Sequence, residues 1–344
     1  MTICICGGGN LGHILAGYIS AKKKFTVNLL TQKPRLWHHN LFITDCNHKI
    51  YQGCLNLISD KAQEVIPQSD IILLCVPGFA IEDELLKIRP YLDKHHVVGS
   101  IVSSTGFFFI AHKILPDSIG LFGFQRVPFI SRIDTYGQSA SLLGYKKELK
   151  LSTEFIPSPD LLINSLREML DTPIQLVSHY LEVTLSNSNP LLHPSRLYNL
   201  FKDYKPGQYY SKHFLFYEEW DDNSSTLLID CDREFSSVLK KLPVHTDHII
   251  PLLDYYESKN SISLTRKIRS IEAFKGIKTP MKYIHPQKYI PDFNNRYFTE
   301  DFPFGISIIK QLAVYTNTPT PCIDKIITWG NKFIPSATKF EINI

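Results

Sequence analysis

The sequence of 344 residues contains no hydrophobic run that approaches the ~20 residues needed by a membrane-spanning helix. No basic segment precedes the first apolar residues, and that apolar run is too short for a secretory signal peptide. Charged residues make up 20% of the chain and hydrophobic residues 44%, which argues against disorder and is enough for two ordinary domains. We therefore expect a cytoplasmic protein with no membrane partner.

Cysteine is scarce, and its spacing is not that of a metal site. The chain has 7 cysteines, an odd number, with no Cys-x-x-Cys and no zinc-ligand spacing, so we expect reduced core residues and no metal. The net charge is only +4, and the basic clusters are short and far apart in the sequence. This distribution does not predict nucleic-acid binding.

The first twelve residues carry a strand, a glycine turn and a helix in that order. Residues 1–6 are apolar, residues 7–12 read GGGNLG, and an apolar helical periodicity follows. In such a turn Gly7 permits the tight bend, Gly9 lets a pyrophosphate approach, and Gly12 lets the helix pack on the strand. The alternative is a turn that binds nothing. The pattern predicts a dinucleotide site formed by Gly7, Gly9, Asn10, Leu11 and Gly12.

Strand and helix patterns alternate through the first half of the chain. Candidate strands cover residues 25–31, 70–76, 97–102, 119–124 and 140–144. Continuous apolar strands between helices are typical of a parallel sheet covered on both faces, and its ligands bind beyond the carboxyl ends of the strands. Val76 ends one such strand and Pro77 follows it, and both are predicted to contact the cofactor.

The second half of the chain has a different character, because long helical periodicities replace the strands after about residue 178. They cover residues 179–188, 224–242, 249–256, 263–274, 304–317 and 322–333. The sequence therefore predicts an α/β fold: a doubly wound Rossmann-type parallel sheet over residues 1–178 and a mainly helical domain over residues 179–344.

The residues at the end of the second predicted strand indicate whether the cofactor is NAD or NADP. An acid there favours NAD, whereas basic side chains favour the 2′-phosphate of NADP. This chain has Thr31, Lys33 and Arg35 and no acid, so we favour NADP(H), with NAD(H) left open. The alternative is that the two cations are only exposed loop charges.

His193 lies between two prolines in an apolar helical region. Pro190 and Pro194 interrupt the periodicity, and a residue that precedes proline is pushed out of the α-helical conformation. We therefore expect a non-helical backbone at His193, at a break where functional side chains often lie. The alternative is a packed histidine at a helix end.

Farther along the chain, residues 296–305 (RYFTEDFPFG) lead into the helix expected at 304–317. Thr299 or Asp301 could simply cap that helix. A buried acid could instead orient a histidine and hold it in one tautomer.

These two segments together carry a family resemblance. The patterns Asn187-x-Asn189-x-x-x-His193-Pro194 and Arg296-Tyr-x-Thr-Glu-Asp301-x-Pro303-x-Gly305, behind the glycine turn, resemble the octopine/nopaline (opine) dehydrogenase family. Residues 318–325 also match, residues 125–132 match only approximately, and the resemblance covers nearly the whole chain.

The resemblance implies a reaction and roles for site residues. Members couple the amine of an amino acid to an α-keto acid through an imine, which hydride from NAD(P)H then reduces. By resemblance, His193 is the acid/base residue, Asp301 its partner and Arg296 the anchor of a substrate carboxylate, while Asn189 and Gln125 bind substrate. The second domain is expected to be similar to the C-terminal domain of 6-phosphogluconate dehydrogenase. The partners implied are two small molecules, and a homodimer is left open.

Two alternatives to this function remain at the level of the sequence. One is a reductase of a simple keto acid resembling ketopantoate reductase, a group that usually relies on a lysine in its second domain. The other is a non-catalytic protein that senses NADP(H). The presence of His193, Arg296 and Asp301 favours the opine dehydrogenase interpretation.

Overall fold

The computed structural model describes residues 1–334, 340, 342 and 344 of the chain. The chain forms two compact units, Met1–Thr184 and Leu185–Ile344. Each unit has its own buried apolar residues.

The first unit contains both strands and helices. Along the chain its elements are β1 (Thr2–Cys6), α1 (Asn10–Ser20), β2 (Thr26–Leu30), β3 (Asn40–Asp45), β4 (Ile50–Cys54), β5 (Leu57–Ser59), α2 (Ala62–Val65), β6 (Ile71–Leu74), α3 (Gly78–Ile88), β7 (Val97–Ser100), α4 (Phe107–Ile114), β8 (Gly120–Phe124), β9 (Phe129–Thr135), β10 (Ser139–Tyr145), β11 (Leu149–Glu154), α5 (Pro159–Leu170), β12 (Ile174–Leu176) and α6 (Tyr180–Leu185), the last of which ends at the boundary. The expected alternation of strand and helix is therefore present.

The main sheet of this unit has eight strands in the order β12-β11-β8-β7-β6-β1-β2-β5. Its neighbours pair in parallel, except that β11 is antiparallel to β8. The predicted Rossmann-type sheet is confirmed. Since the chain order reverses beside β1, the turn after β1 lies at the switch point where such sheets bind ligands.

A second sheet in the same unit was not expected. It has four strands in the order β4-β3-β10-β9 and packs against α1. Small residues permit this contact, because a Cβ on Gly17 would come within 2.6 Å of the Ile43 side chain. Residues 140–144 were expected in the main sheet but belong to this one. Strands of this sheet alternate buried and exposed residues, a weaker signal than the continuous apolar runs of the main sheet.

The second unit is mainly helical, as expected. Its elements are α7 (Asn189–Phe201), α8 (Asp222–Leu239), α9 (Leu252–Tyr255), α10 (Ser261–Ser270), β13 (Met281–His285), β14 (Lys288–Pro291), α11 (Arg296–Thr299), α12 (Ser307–Tyr315) and α13 (Pro321–Gly330). The β13–β14 hairpin was not anticipated, since most of its side chains are exposed and give no apolar pattern. Within the described residues, every helix is too short or too polar to cross a bilayer.

One local expectation was wrong. His193 is not at a break, because α7 continues through Pro194 to Phe201. Pro190 lies in the first turn, where a missing N–H costs little, and the helix from Pro190 to Leu197 is buried throughout. Packing of this segment outweighs the local cost of Pro194.

Candidate active site

The glycine turn has the geometry of a phosphate cradle. Gly7 adopts φ +116°, a conformation that favours glycine, and its N–H donates to the Leu30 carbonyl at 3.0 Å. A Cβ on Gly12 would lie 2.0 Å from the Gly7 carbonyl oxygen, whereas a Cβ on Gly9 would meet nothing within 4 Å. The turn is thus closely packed at one glycine and open at the other. With the free N–H groups at the start of α1, this fits a dinucleotide pyrophosphate.

A cavity of about 310 Å³ lies beside this turn. Six of the predicted cofactor residues line it: Gly7, Gly9, Thr31, Lys33, Val76 and Pro77. Four others, Asn10, Leu11, Gly12 and Arg35, are not among its described lining residues. The Asn10 side chain instead accepts a hydrogen bond from the N–H of Ile133 at 2.9 Å, and Arg35 is exposed on the turn Pro34–Leu36.

Tyr136 is a lining residue that was not predicted from the sequence. A Cβ on Gly8 would lie 2.8 Å from the Tyr136 hydroxyl and 2.9 Å from Thr31 Oγ1, so both hydroxyls border the turn. Lys33 Nζ lies 6.0 Å from the centroid of the Tyr136 ring. Tyr136 is on the connection between β9 and β10, in the unexpected second sheet, which is why the sequence pattern did not indicate it.

His13 ties that connection to the glycine turn. Its Nδ1 lies 3.0 Å from the Gly9 carbonyl, and its Nε2 accepts a hydrogen bond from the N–H of Gly137 at 2.7 Å. Burial lowers the pKa of His13, so the ring is neutral and holds the turn rather than a phosphate.

Glu84 and Lys87 of α3 also line the cavity and were also missed. Burial raises the pKa of Glu84 above its ordinary value. The cavity therefore has lysine side chains as well as a carboxyl that is readily neutralised.

His193 and Asp301 meet in the second unit. His193 is buried on α7, and its Nδ1 lies 2.7 Å from Asp301 Oδ2. A carboxylate only accepts, so Nδ1 carries the proton and donates it. The other nitrogen, Nε2, then accepts a hydrogen bond from the Tyr217 hydroxyl at 2.8 Å. The ring is held by hydrogen bonds at both nitrogens.

The segment that follows α11 places Asp301. Residues Phe302–Ile306 form a π-helical turn, in which the N–H of Ile306 donates to the Asp301 carbonyl at 2.8 Å. A Cβ on Gly305 would lie 3.0 Å from the Pro190 side chain, so glycine lets this turn approach α7 closely. Pro190 and Gly305 thus bring the carboxylate of Asp301 to the imidazole, and π-helical turns often occur at functional sites.

Aromatic side chains enclose the imidazole. The Tyr297 ring stacks on His193 with centroids 4.1 Å apart, and Phe216 packs edge-on at 5.6 Å. Burial raises the pKa of the Tyr217 phenol well above its ordinary range. Neither tyrosine stands out in the sequence, because their chemistry depends on a partner far away along the chain.

Arg196 is a buried cation one turn after His193 on α7. It pairs with Asp221 at 2.5 Å, and it donates to the backbone carbonyls of Phe216 and Glu219. The segment that carries Tyr217 is therefore anchored to the helix that carries His193. A charged residue inside an apolar helical stretch is a signal in the sequence that could have pointed to this anchor.

The predicted substrate residues lie in different surroundings. Arg296 is exposed at the start of α11, and Asn189 is half-buried in the first turn of α7, where its N–H donates to Asn187 Oδ1 at 3.1 Å. Gln125 belongs to the first unit, directly after β8, and is also half-buried. Within the described residues the Arg296 side chain makes no hydrogen bond or ion pair, so its guanidinium is available to a ligand.

Two family models match the chain. The model described as "NAD/NADP octopine/nopaline dehydrogenase, alpha-helical domain" matches residues 176–334, and that of ketopantoate reductase PanE/ApbA matches residues 3–106. The first covers the segments that hold His193 and Asp301, whereas the second covers all the lining residues of the cavity beside the glycine turn except Tyr136.

Relatives of known activity match over nearly the full length. The opine dehydrogenase of Haliotis discus hannai is 27% identical, over 96% of this chain and 90% of that protein. The tauropine dehydrogenase of Arabella iricolor is 28% identical, over 97% and 91%.

Solved structures share the fold. Octopine dehydrogenase in complex with NADH and agmatine gives a TM-score of 0.82 at 25% identity, covering 96% of this chain and 89% of that one. Yersinopine dehydrogenase with bound NADP⁺ gives 0.71 at 13% identity, covering 96% and 90%. The second half of the chain thus matches the model of the octopine/nopaline dehydrogenase family, and the relatives indicate an NAD(P)-dependent oxidoreductase of the opine dehydrogenase type, as the motifs suggested.

Proposed function

We propose that this oxidoreductase joins the amine of an amino acid to an α-keto acid and reduces the resulting imine, with His193 as acid/base residue and Asp301 as its partner. The contact that carries the proposal is the 2.7 Å hydrogen bond between His193 Nδ1 and Asp301 Oδ2. A carboxylate on Nδ1 fixes the tautomer and stabilises the imidazolium when the ring takes up a proton.

The condensation needs proton transfer at two points. The amine must be neutral before it attacks the keto carbon, and the hydroxyl of the adduct must gain a proton before it leaves as water. An imidazole can accept the first proton and return the second near neutral pH, and such catalysis typically contributes ~10²–10⁴-fold. The reduced nicotinamide, when bound, supplies the hydride that completes the reaction.

The substrates are expected to be carboxylates, held in part by Arg296. The guanidinium is exposed on α11, in the same segment as Asp301, and its planar fork matches a carboxylate with two parallel hydrogen bonds. Asn189 and Gln125 are proposed to contact substrate through their amides. Structures of octopine dehydrogenase with pyruvate and with L-arginine indicate a small keto acid and an amine as the substrate classes to test first.

For the dinucleotide we propose a preference for NADP(H). Thr31 and Lys33 border the cavity at the end of β2, and no acidic side chain occupies residues 31–36. A 2′-phosphate there would pair with Lys33 and with Arg35 on the next turn, and the Tyr136 hydroxyl offers a further donor.

The function is tested by the initial rate of NADPH oxidation with pyruvate, 2-oxoglutarate or oxaloacetate, each with and without a panel of amino acids. We expect oxidation to require both an amine and a keto acid. Full rates with a keto acid alone would point to simple keto-acid reduction, and no turnover with any pair would favour a dinucleotide sensor.

A further inference from the structure

The hydroxyl of Tyr217 occupies the imidazole nitrogen of His193 that Asp301 leaves free. It lies 2.8 Å from Nε2, while Asp301 is hydrogen-bonded to Nδ1. A histidine that exchanges a proton with a substrate must reach it through one of its nitrogens. The Tyr217 hydroxyl therefore either passes the proton on to the substrate or blocks the approach of the substrate to Nε2 of His193.

The ring of Tyr217 is held too firmly to move aside. It is buried and stacks on Phe274 with centroids 4.0 Å apart and planes 17° apart. The backbone on both sides is anchored, since Arg196 donates to the carbonyls of Phe216 and Glu219. Freeing Nε2 would require this segment to unpack, so the arrangement favours onward transfer.

Tyr297 covers one face of the imidazole of His193. Its half-buried ring lies nearly parallel to the imidazole, with centroids 4.1 Å apart and planes 15° apart. Burial raises the pKa of the Tyr217 and Tyr297 phenols, so both keep their protons at neutral pH. A phenol that stays protonated can transfer a proton only by accepting one while it gives up its own.

We propose that Tyr217 is a further catalytic residue, through whose hydroxyl the proton passes between His193 and the reacting adduct. This inference rests on the proposed role of His193. When the adduct loses water, the imidazolium gives its Nε2 proton to the Tyr217 oxygen, and the phenol gives its own proton to the departing hydroxyl. The C–O bond breaks, the C=N bond forms, and His193 ends neutral with Tyr217 unchanged.

The variant Tyr217→Phe tests this step because it keeps the ring that packs on Phe274. We expect kcat to fall by about 10²-fold, with the KM values and the NADPH Kd unchanged. A plot of the rate against the fraction of D₂O in the solvent should be curved for the natural enzyme, because two protons move together. The same plot should be linear for the variant. The half-buried Tyr289 provides the control, since Tyr289→Phe removes a hydroxyl from the same unit and should change neither readout.

A Tyr217→Phe enzyme as fast as the natural one, or faster, would overturn the relay, because Tyr217 would then only pack or obstruct. His193→Ala separates this outcome from failure of the proposed function. If His193→Ala is inactive while Tyr217→Phe is fully active, only the relay fails. If His193→Ala retains full turnover, the acid/base assignment itself fails.

Discussion

The two units form their sites from different kinds of chemical group. In the first unit the dinucleotide cradle is largely backbone, formed by a turn that is continuous in the sequence. In the second unit the acid/base group is made of side chains, and His193 and Asp301 are 108 positions apart. A backbone site needs particular conformations at adjacent residues, whereas a side-chain site needs segments to meet by packing.

The glycines of the two sites also play different parts. Gly12 and Gly305 both permit close approach, but Gly12 acts within one turn, while Gly305 lets a distant segment contact α7. A glycine motif can therefore be recognised locally in one case, and only after the fold is known in the other.

Loss of the Arg296 guanidinium should give the largest effect on the KM for a substrate. We expect Arg296→Ala to raise the KM for the keto acid by roughly 10- to 100-fold, because a charged hydrogen-bond pair is lost, with a smaller change in kcat. Steady-state kinetics measure both. Arg233→Ala is the control, since Arg233 is an exposed arginine of α8. An unchanged KM would remove Arg296 from substrate binding.

Substitutions beside the cavity of the first unit should change the affinity for the dinucleotide and not the KM values for the substrates. Replacing Lys33 and Arg35 with glutamine should raise the Kd for NADPH about tenfold or more and leave that for NADH nearly unchanged. Fluorescence titration with both nucleotides measures this. Lys94→Gln, at an exposed position, serves as the control. An equal loss for both nucleotides would mean that the 2′-phosphate binds elsewhere.

The smallest effect is expected for Asp232 in the second unit. It concerns the free energy of unfolding and not catalysis. Burial raises the pKa of Asp232 to about 6, while its carboxylate accepts the N–H of Leu252 at 3.0 Å. The folded chain thus binds this proton more tightly than the unfolded chain does. The free energy of unfolding should fall as the pH rises from the ordinary pKa of aspartate toward 6, and the cost persists above that pH.

Asp232→Asn removes the buried charge and keeps a carbonyl acceptor. We expect it to stabilise the protein at pH 7 by on the order of 1 kcal/mol, with no gain at pH 4, in urea unfolding followed by circular dichroism. Turnover should not change. A gain of equal size at both pH values would show that the charge of Asp232 is not responsible.

Much of the main fold could be predicted from the sequence. The continuous apolar runs of β1 and β6 identify buried parallel strands, and the glycine turn fixes which strand faces the ligand. The second sheet was missed because its strands alternate buried and exposed residues and pair across distant segments, as β3 does with β10. The backbone at His193 was mispredicted because the packing of α7 outweighs the preference imposed by Pro194.

The site residues show the same division: some could be predicted from local spacing, and others are brought together only by the packed fold. The cavity residues next to the glycine turn were predicted from local spacing, whereas Tyr136 was not, since it lies on the connection between two strands of the second sheet. His193 and Asp301 were identified together only through a family resemblance. No local rule connects either of them to Tyr217 or to the buried Arg196, because those contacts exist only after α7 has packed.

The central claim is that His193 transfers protons and does not bind the dinucleotide, and His193→Ala tests it most directly. His285 offers a matched control, because it too precedes a proline but is exposed at the end of β13. We predict that His193→Ala lowers kcat by roughly 10²–10⁴-fold and leaves the NADPH Kd unchanged, while His285→Ala changes neither. Full turnover by His193→Ala would contradict the account.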